Sequence, residues 1–525
     1  MLQIEGHAHV CAAQRDDGGG AAAAGSRGFL RSAARAMVRR GFRGWLLILA
    51  LLLTCARPAP VADVIAEAPP DFEALAARIG RAEAWYRVNG YTASPPEAAR
   101  PPLSPRLPSL TAPTTITSVL TPTVYLPLVA NCFPLQIERR AIWITRYDWT
   151  SLNAGAQPQK IDELVANVAG AGFNTIFFQV RGAGDAYYTP GLEPWASRLS
   201  AGTVTDTLGL DPGWDPLARM LDVAHAAGLE VHAYINVYPA WLPSPSEAYG
   251  PLAPPATTPP QMFDRFTYGP THPDHPGEYA LGWDWRHHDT TGAPMLLDWG
   301  AYLWVSPGVD QVQTYIAAIA RDIVTRYAVD GIHLDLVRYA GPMYSYDPSS
   351  NAAAGDVRTP ARDQWQRDRV TALVRQVTTD THALRPEAWV SAAVWPYYKN
   401  NLGLQTSSGY YDYFQDSKGW LASGAVDAIA PMLYGTGSSI PDDLGNWRIL
   451  AEDFVASSAG RHIDLGIAGY YDDFDAIAQR IAIARELGAP GHALFSYAAL
   501  DSRGYWDDLA EGPYRVPAIT PSRIH

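Results

Sequence analysis

The sequence predicts a (β/α)8 TIM barrel over residues 135–510, and three observations carry that expectation. From about Leu135, apolar runs of five to eight residues alternate with segments of helical period, the mark of repeated β/α units. There are eight such runs, the number that closes a barrel. Polar and aromatic side chains gather where the runs end, and parallel α/β proteins bind ligands at the carboxyl ends of their strands. A doubly wound open sheet is the alternative, but no glycine-rich phosphate loop follows the first strand.

The elements follow in order. Arg140–Thr145 is the first strand, and the apolar spacing of Ile161–Ala171 predicts the helix after it. Asn174–Val180 is the second strand, followed by a helix over Trp214–Ala227. Glu230–Asn236 is the third. Val237 to Pro307 then forms a long insertion rich in Pro, His, Trp and Asp, and a loop of that length in a compact domain is usually functional. It is expected to overhang the face that carries the strand ends. The amphipathic helix Val312–Tyr327 leads to the fourth strand, Gly331–Val337. A helix over Trp365–Leu384 precedes the fifth, Trp389–Trp395. Ala428–Tyr434 and Asp464–Tyr470 are the sixth and seventh strands. A helix over Phe474–Leu487 precedes the eighth, His492–Tyr497, and residues 511–525 read as a C-terminal tail.

Ahead of the barrel, residues 1–57 read as an N-terminal extension with a signal-like segment. A basic stretch from Met37, itself a candidate start, precedes the apolar run Trp45–Ala56. That run has the size of a signal-peptide core and is short for a membrane span, which needs about 20 residues. Leu52-Leu-Thr-Cys55 is similar to a bacterial lipobox, with Cys55 as the lipid-carrying residue and Thr54 as a departure from the usual small residue. Membrane contact is expected only through this anchor or lipid, with the barrel outside the cytoplasm. Residues 58–134 are a Pro/Thr-rich linker whose composition favours disorder.

Composition excludes several classes. Net charge is −13 and only three lysines occur, which argues against nucleic acid as a partner. Cys11, Cys55 and Cys132 all precede the barrel, so it holds no disulfide framework and no Cys/His zinc spacing. No cofactor motif is legible. The 17 Trp and 28 Tyr serve packing, and some fit the walls of a groove that stacks on sugar rings.

Asp335, near the carboxyl end of the fourth strand, is the leading candidate, because packing explains a carboxylate there poorly. Glycoside hydrolysis needs a second carboxyl, one of the pair ionised and the other protonated. Asp416, Glu193 and Asp185 are the candidates, in that order, since the fifth strand ends in Trp395-Pro396 without an acid. Arg181, Asp185, Trp195, His232, Asn236, His333, Tyr397 and Tyr434 complete the candidate substrate-binding set. His232 and His333 equally fit core roles, Arg181 a structural ion pair, and Asp416 the cap of a helix beginning near Ser417. A metal-dependent deacetylase would have only His232, His333 and Asp335 as ligands.

These strand-end motifs form an ordered set. It comprises Arg140-Ala-Ile-Trp-Ile-Thr, Asn174-Thr-Ile-Phe-Phe-Gln-Val-Arg181-Gly-Ala-Gly-Asp185, Glu193-Pro-Trp195, Gly228-Leu-Glu-Val-His232-Ala-Tyr-Ile-Asn236, Asp330-Gly-Ile-His-Leu-Asp335, Gln415-Asp416, Asp427-Ala-Ile-Ala-Pro431-Met-Leu-Tyr434 and Leu494-Phe-Ser-Tyr497. In this order the set resembles the glycosyl hydrolase-like 10 family of bacterial envelope proteins, over about residues 138–500. The resemblance implies a (β/α)8 barrel and a glycosidase of envelope glycan, peptidoglycan strands stripped of stem peptides being the substrate associated with the group. It carries over Arg181, Asp185, His232, Asn236, Asp335, Asp416 and Tyr434. Two departures stand out: Leu336 where the family often has a second Asp, and Val237 in place of the family's Pro. A non-catalytic glycan-binding barrel is the competing expectation.

Overall fold

The computed structural model describes residues 136–244, 250–263, 284–404, 406–435 and 440–523. The signal-like segment, the Pro/Thr-rich linker and Cys55 lie outside the described residues. Eight parallel strands close into a barrel: β1 (Arg139–Ile144), β2 (Thr175–Arg181), β3 (Glu230–Asn236), β4 (Gly331–Asp335), β5 (Trp389–Val394), β6 (Ala428–Pro431), β7 (His462–Ala468) and β8 (Gly491–Phe495). Each strand pairs with its neighbours in sequence, and β8 pairs with β1. All eight coincide with the predicted runs to within a few residues.

A helix follows every strand: α1 (Pro158–Ala171), α2 (Pro216–Ala226), α3 (Asp310–Arg326), α4 (Pro360–Leu384), α5 (Ser417–Ser423), α6 (Leu444–Val455), α7 (Phe474–Glu486) and α8 (Tyr497–Arg503). Their ends follow local chemistry. Pro158 opens α1, where a missing N–H costs nothing, and Gly172 closes it in the left-handed conformation. Asp215, Thr359, Asp416 and Asp443 accept backbone N–H groups at the starts of α2, α4, α5 and α6. Ile161, Leu164, Val165 and Val168 of α1 bury one stripe against the barrel.

The barrel interior is filled by side chains of unequal size. Trp143 and Phe177 are large, while Ala141, Ala430 and Ala493 of the same cluster leave room for them. Gly331 is required at its place in β4: a Cβ there would lie 2.8 Å from both His232 Nδ1 and the Trp389 carbonyl oxygen. At the amino-terminal end the floor is ionic. Arg139 reaches Asp464 (3.2 Å) and stacks on Trp389, and His462 bonds Asp464 (2.7 Å).

The residues expected as a tail are built into this floor. Ala518–Ile519 pairs in parallel with Gln136–Ile137, and Arg140 donates to the carbonyls of Tyr514 and Val516. The insertion after β3 begins and ends in a short antiparallel ladder, Pro239–Trp241 with Leu303–Trp304. That ladder returns Tyr302 and Trp304 to the barrel mouth.

Candidate active site

β3 and β4 run in register so that Asn236 lies beside Asp335, and the chain turns sharply straight after it. Leu336 takes φ +50°, a left-handed conformation uncommon for a residue with a branched side chain. The turn brings the Leu336 N–H to 2.6 Å from Asp335 Oδ1, while the Tyr234 hydroxyl donates to Oδ2 at 2.6 Å. Burial pushes the Asp335 carboxyl up; these two bonds and the Arg338 charge pull the other way and do not cancel it. Among the described residues, no carboxylate is one of the principal electrostatic influences on Asp335.

Two guanidinium groups share this mouth. Arg146, after β1, donates to the hydroxyls of Tyr147 (2.7 Å) and Tyr302 (2.8 Å). Its backbone N–H is held by Gln179 of β2. Arg338 lies among three rings, 4.5 Å from the centroid of Tyr413, 5.1 Å from Trp304 and 5.2 Å from Trp395. Tyr434 stacks on Phe495 at 5.0 Å, and burial pushes its hydroxyl pKa up. The result is an aromatic bowl around one carboxyl and two cations. Rings of this kind pack on sugar C–H faces, and the polar rim can bond hydroxyls.

The other candidates from the sequence fall in different places. Asp416 caps α5: its Oδ1 accepts from Gly419 N (3.1 Å) and from the Tyr398 hydroxyl (2.7 Å). Oδ2 makes no hydrogen bond among the described residues. Its neighbour Gln415 is pinned to the strand ends. Gln415 accepts from Trp395 N (2.7 Å) and donates toward the carbonyls of Val337 and Ala393 (3.3 and 3.4 Å). Asp416 therefore belongs to the same face as Asp335.

Glu193 is buried, with both oxygens 2.8 Å from Arg181, one on Nε and one on Nη2. Arg181 also donates to the carbonyls of Asn236, Val237 and Pro239, so the pair fastens the loop after β2 to the end of β3. Asp185 accepts from Ala183 N (2.7 Å) in the same loop. Asn236 is buried at the end of β3, with its side-chain oxygen unpaired among the described residues. Trp195 and Tyr397 are packed into the core.

The two histidines lie below the mouth. His333 accepts from Trp143 Nε1 (3.0 Å), pairs with Ser391 Oγ (2.8 Å) and stacks on Phe177. Burial drives its pKa down to about 3, so it is neutral. His232 is fully buried one layer deeper, 3.6 Å from Glu230. Among the described residues, no three His, Cys, Asp or Glu side chains are grouped to hold a metal ion.

Several mouth residues were not singled out from the sequence: Tyr234, Tyr302, Trp304, Arg338 and Tyr413. Tyr234 and Arg338 sat beside the candidates at strand ends, and their position was the available signal. Tyr302 and Trp304 arrive from the far end of the insertion, and Tyr413 from a loop without periodicity.

A family model described as glycosyl hydrolase-like 10 matches residues 138–242 and 280–447, just over half of the chain. Glycosyl hydrolase YngK of Bacillus subtilis is 26% identical over 429 residues, covering 76% of each chain. Glycosyl hydrolase DigH of Escherichia coli K12 is 28% identical over 322 residues, covering 56% of this chain and 65% of DigH, just under two thirds of that relative. Among solved structures, the glycoside hydrolase domain of PgaB (BpsB) from Bordetella bronchiseptica aligns with 73% of this chain and 100% of its own. Its identity is 14% and its TM-score 0.48. By the extent of the family match, the chain belongs to the glycosyl hydrolase-like 10 family.

Proposed function

We propose that this barrel hydrolyses glycosidic bonds in a bacterial cell-envelope glycan, peptidoglycan glycan strands or a related polysaccharide, with Asp335 as the proton-transferring carboxyl. The observation that carries the reading is the environment of Asp335: a carboxyl raised by burial, at the carboxyl end of β4, in a bowl of aromatic rings. A carboxyl raised in this way holds its proton more firmly than an exposed one, which suits protonation of the leaving glycosidic oxygen. The Tyr234 hydroxyl fixes its Oδ2. Asp416 is assigned as the second carboxylate, the group that acts from the other side of the sugar on water or on the anomeric carbon. Its unbonded Oδ2 and the Gln415 tether to the ends of β4 and β5 support that assignment. Glu193 is a poorer choice, because both its oxygens are engaged by Arg181. The signal-like segment Met37–Ala56 supports an address at the outer face of the envelope.

The test is release of reducing ends from purified peptide-free glycan strands. Asp335→Asn is expected to lower kcat by at least about 100-fold, the low end of what general acid–base catalysis supplies, with an unchanged circular dichroism spectrum. Undiminished turnover would remove Asp335 from the mechanism. A non-catalytic glycan-binding barrel is the second reading, favoured by the lack of a carboxylate among the main influences on Asp335. It predicts binding of the same strands with no reducing ends released by the unmutated protein.

A further inference from the structure

We infer that Arg338 is a specificity residue that reads a carboxylate carried by a sugar of the substrate, so that the glycan bound at this mouth is anionic. The inference rests on the glycosidase reading of the site and names its substrate class.

Several arginines in this chain present the Nε/Nη2 edge to a carboxylate. Arg181 does so to Glu193, Arg219 to Asp162, Arg286 to Asp284 and Arg485 to Glu138, with all eight distances between 2.6 and 2.9 Å. That planar fork is the geometry for which Arg is suited. Arg338 makes no such fork, and among the described residues it forms no ion pair with a carboxylate. Its Nη1 donates to the Tyr339 carbonyl at 3.0 Å. Its Nε is buried with no partner, and its Nη2 makes no hydrogen bond among the described residues. The Asp335 carboxyl, three residues earlier, is engaged by Tyr234 and the Leu336 N–H and makes no hydrogen bond to Arg338.

The surroundings hold the guanidinium in place without neutralising it. Trp304, Trp395 and Tyr413 present rings at 4.5–5.2 Å, and Trp395 is itself fixed by its Nε1 bond to the Ser407 carbonyl. Rings stabilise a cation only modestly, less than a buried charge loses on leaving water. Burial accordingly lowers the Arg338 pKa, whereas the carboxylate-paired Arg181 and Arg485 are raised. A planar cation that is caged, partly exposed and short of an anion is prepared for one supplied by the ligand. The cage is also a sugar-stacking wall, so the anion it meets is one attached to a stacked ring. Arg338 stands three residues after Asp335, which puts the recognised sugar next to the bond being cleaved.

The test separates charge recognition from turnover. Affinities of the Asp335→Asn protein are measured for two carboxylated polymers, peptide-free peptidoglycan strands and polygalacturonate, each in native form and with its carboxyls amidated. At least one native polymer is expected to bind ten-fold or more tightly than its amidated form. Adding Arg338→Met, which keeps an apolar stem among the rings, is expected to bring that ratio to about one, and Arg338→Lys to restore part of it. The inference is overturned if neither polymer shows a native-to-amidated ratio above about three, or if Arg338→Met leaves the ratio as it was. Discrimination on polygalacturonate alone would uphold Arg338 and count instead against the envelope substrate. Absence of reducing-end release by the unmutated protein, with discrimination retained, would count against hydrolysis and not against Arg338.

Discussion

Tyr234 opposes what burial does to Asp335. Removing the carboxyl from water favours its neutral form, and the phenol, donating at 2.6 Å, favours the charged form. Tyr234→Phe deletes that donor and leaves the ring in the barrel. The Asp335 pKa then moves further up, so the limb of the pH–rate profile that belongs to it shifts to higher pH. For a group acting as the acid, activity is present below its pKa and lost above it. The variant should therefore hold activity to higher pH than the parent, while its plateau kcat falls about ten-fold, the equivalent of one hydrogen bond of about 1.4 kcal/mol. A limb that moves to lower pH would mean that Asp335 is not the group being titrated. The same residues bear on Leu336. Its left-handed backbone is a conformation in which Asp and Asn are enriched. The family's frequent Asp at this place thus has a conformational reason, and Leu336 need not signal a lost catalytic acid.

At the scale of elements, the eight strands were legible because each is a short apolar run that packs inside and out. The five longest-patterned helices were legible from their buried stripes. α6 and α8 were missed. α8 has seven residues and is separated from its strand by Ser496 alone, so no periodicity can develop. The sequence offers Asp416 both as a helix cap and as a catalytic acid, and it does cap α5. The site was harder to read than the frame, because sequence shows which side chains lie near strand ends but not which of them pair. Arg181 and Glu193 stood as separate candidates and prove to be one clamp. That clamp yields a discriminating experiment. If Glu193 fastens the loop after β2, Glu193→Gln leaves a buried guanidinium underpaired and costs about 3–5 kcal/mol of stability, read as a lower urea midpoint. Its folded fraction should keep a pH–rate profile of the parental shape. A catalytic acid would give the reverse: parental stability and loss of the limb assigned to proton donation.

For the whole molecule, the decisive fact is that the two ends of the described chain meet under the barrel. Glu138 sits at the centre of this closure, bonded by Arg140 (2.6 Å) and by both Nε and Nη2 of Arg485 (2.9 and 2.6 Å). Burial alone would raise its pKa; the Arg485 bonds, the His492 charge and Arg140 outweigh it and hold the carboxyl at about 2. A carboxylate depressed on folding contributes stability that is present above its unfolded pKa, about 4.3. That stability is lost as pH falls from there toward about 2. Arg140 and Arg485 also hold the last segment, through the carbonyls of Pro513, Tyr514 and Val516, and Arg523 reaches Asp427 at 3.1 Å. Deleting residues 512–525 strips acceptors from both arginines and should cost at least about 3 kcal/mol, since hydrogen bonds to charged groups contribute about 1.5–3 kcal/mol each. The fall in midpoint, followed by urea titration at pH 7, should be accompanied by glycan binding that persists in the absence of denaturant, because the mouth lies at the opposite end of the strands. Glu138→Gln should flatten the acid limb of the stability curve between pH 4.3 and 2 in the full chain. A truncated protein as stable as the parent would show that the C-terminal segment only covers the floor, and an unchanged acid limb in Glu138→Gln would move the acid sensitivity to Asp464, Glu230 and Asp427, the other depressed carboxylates of the floor.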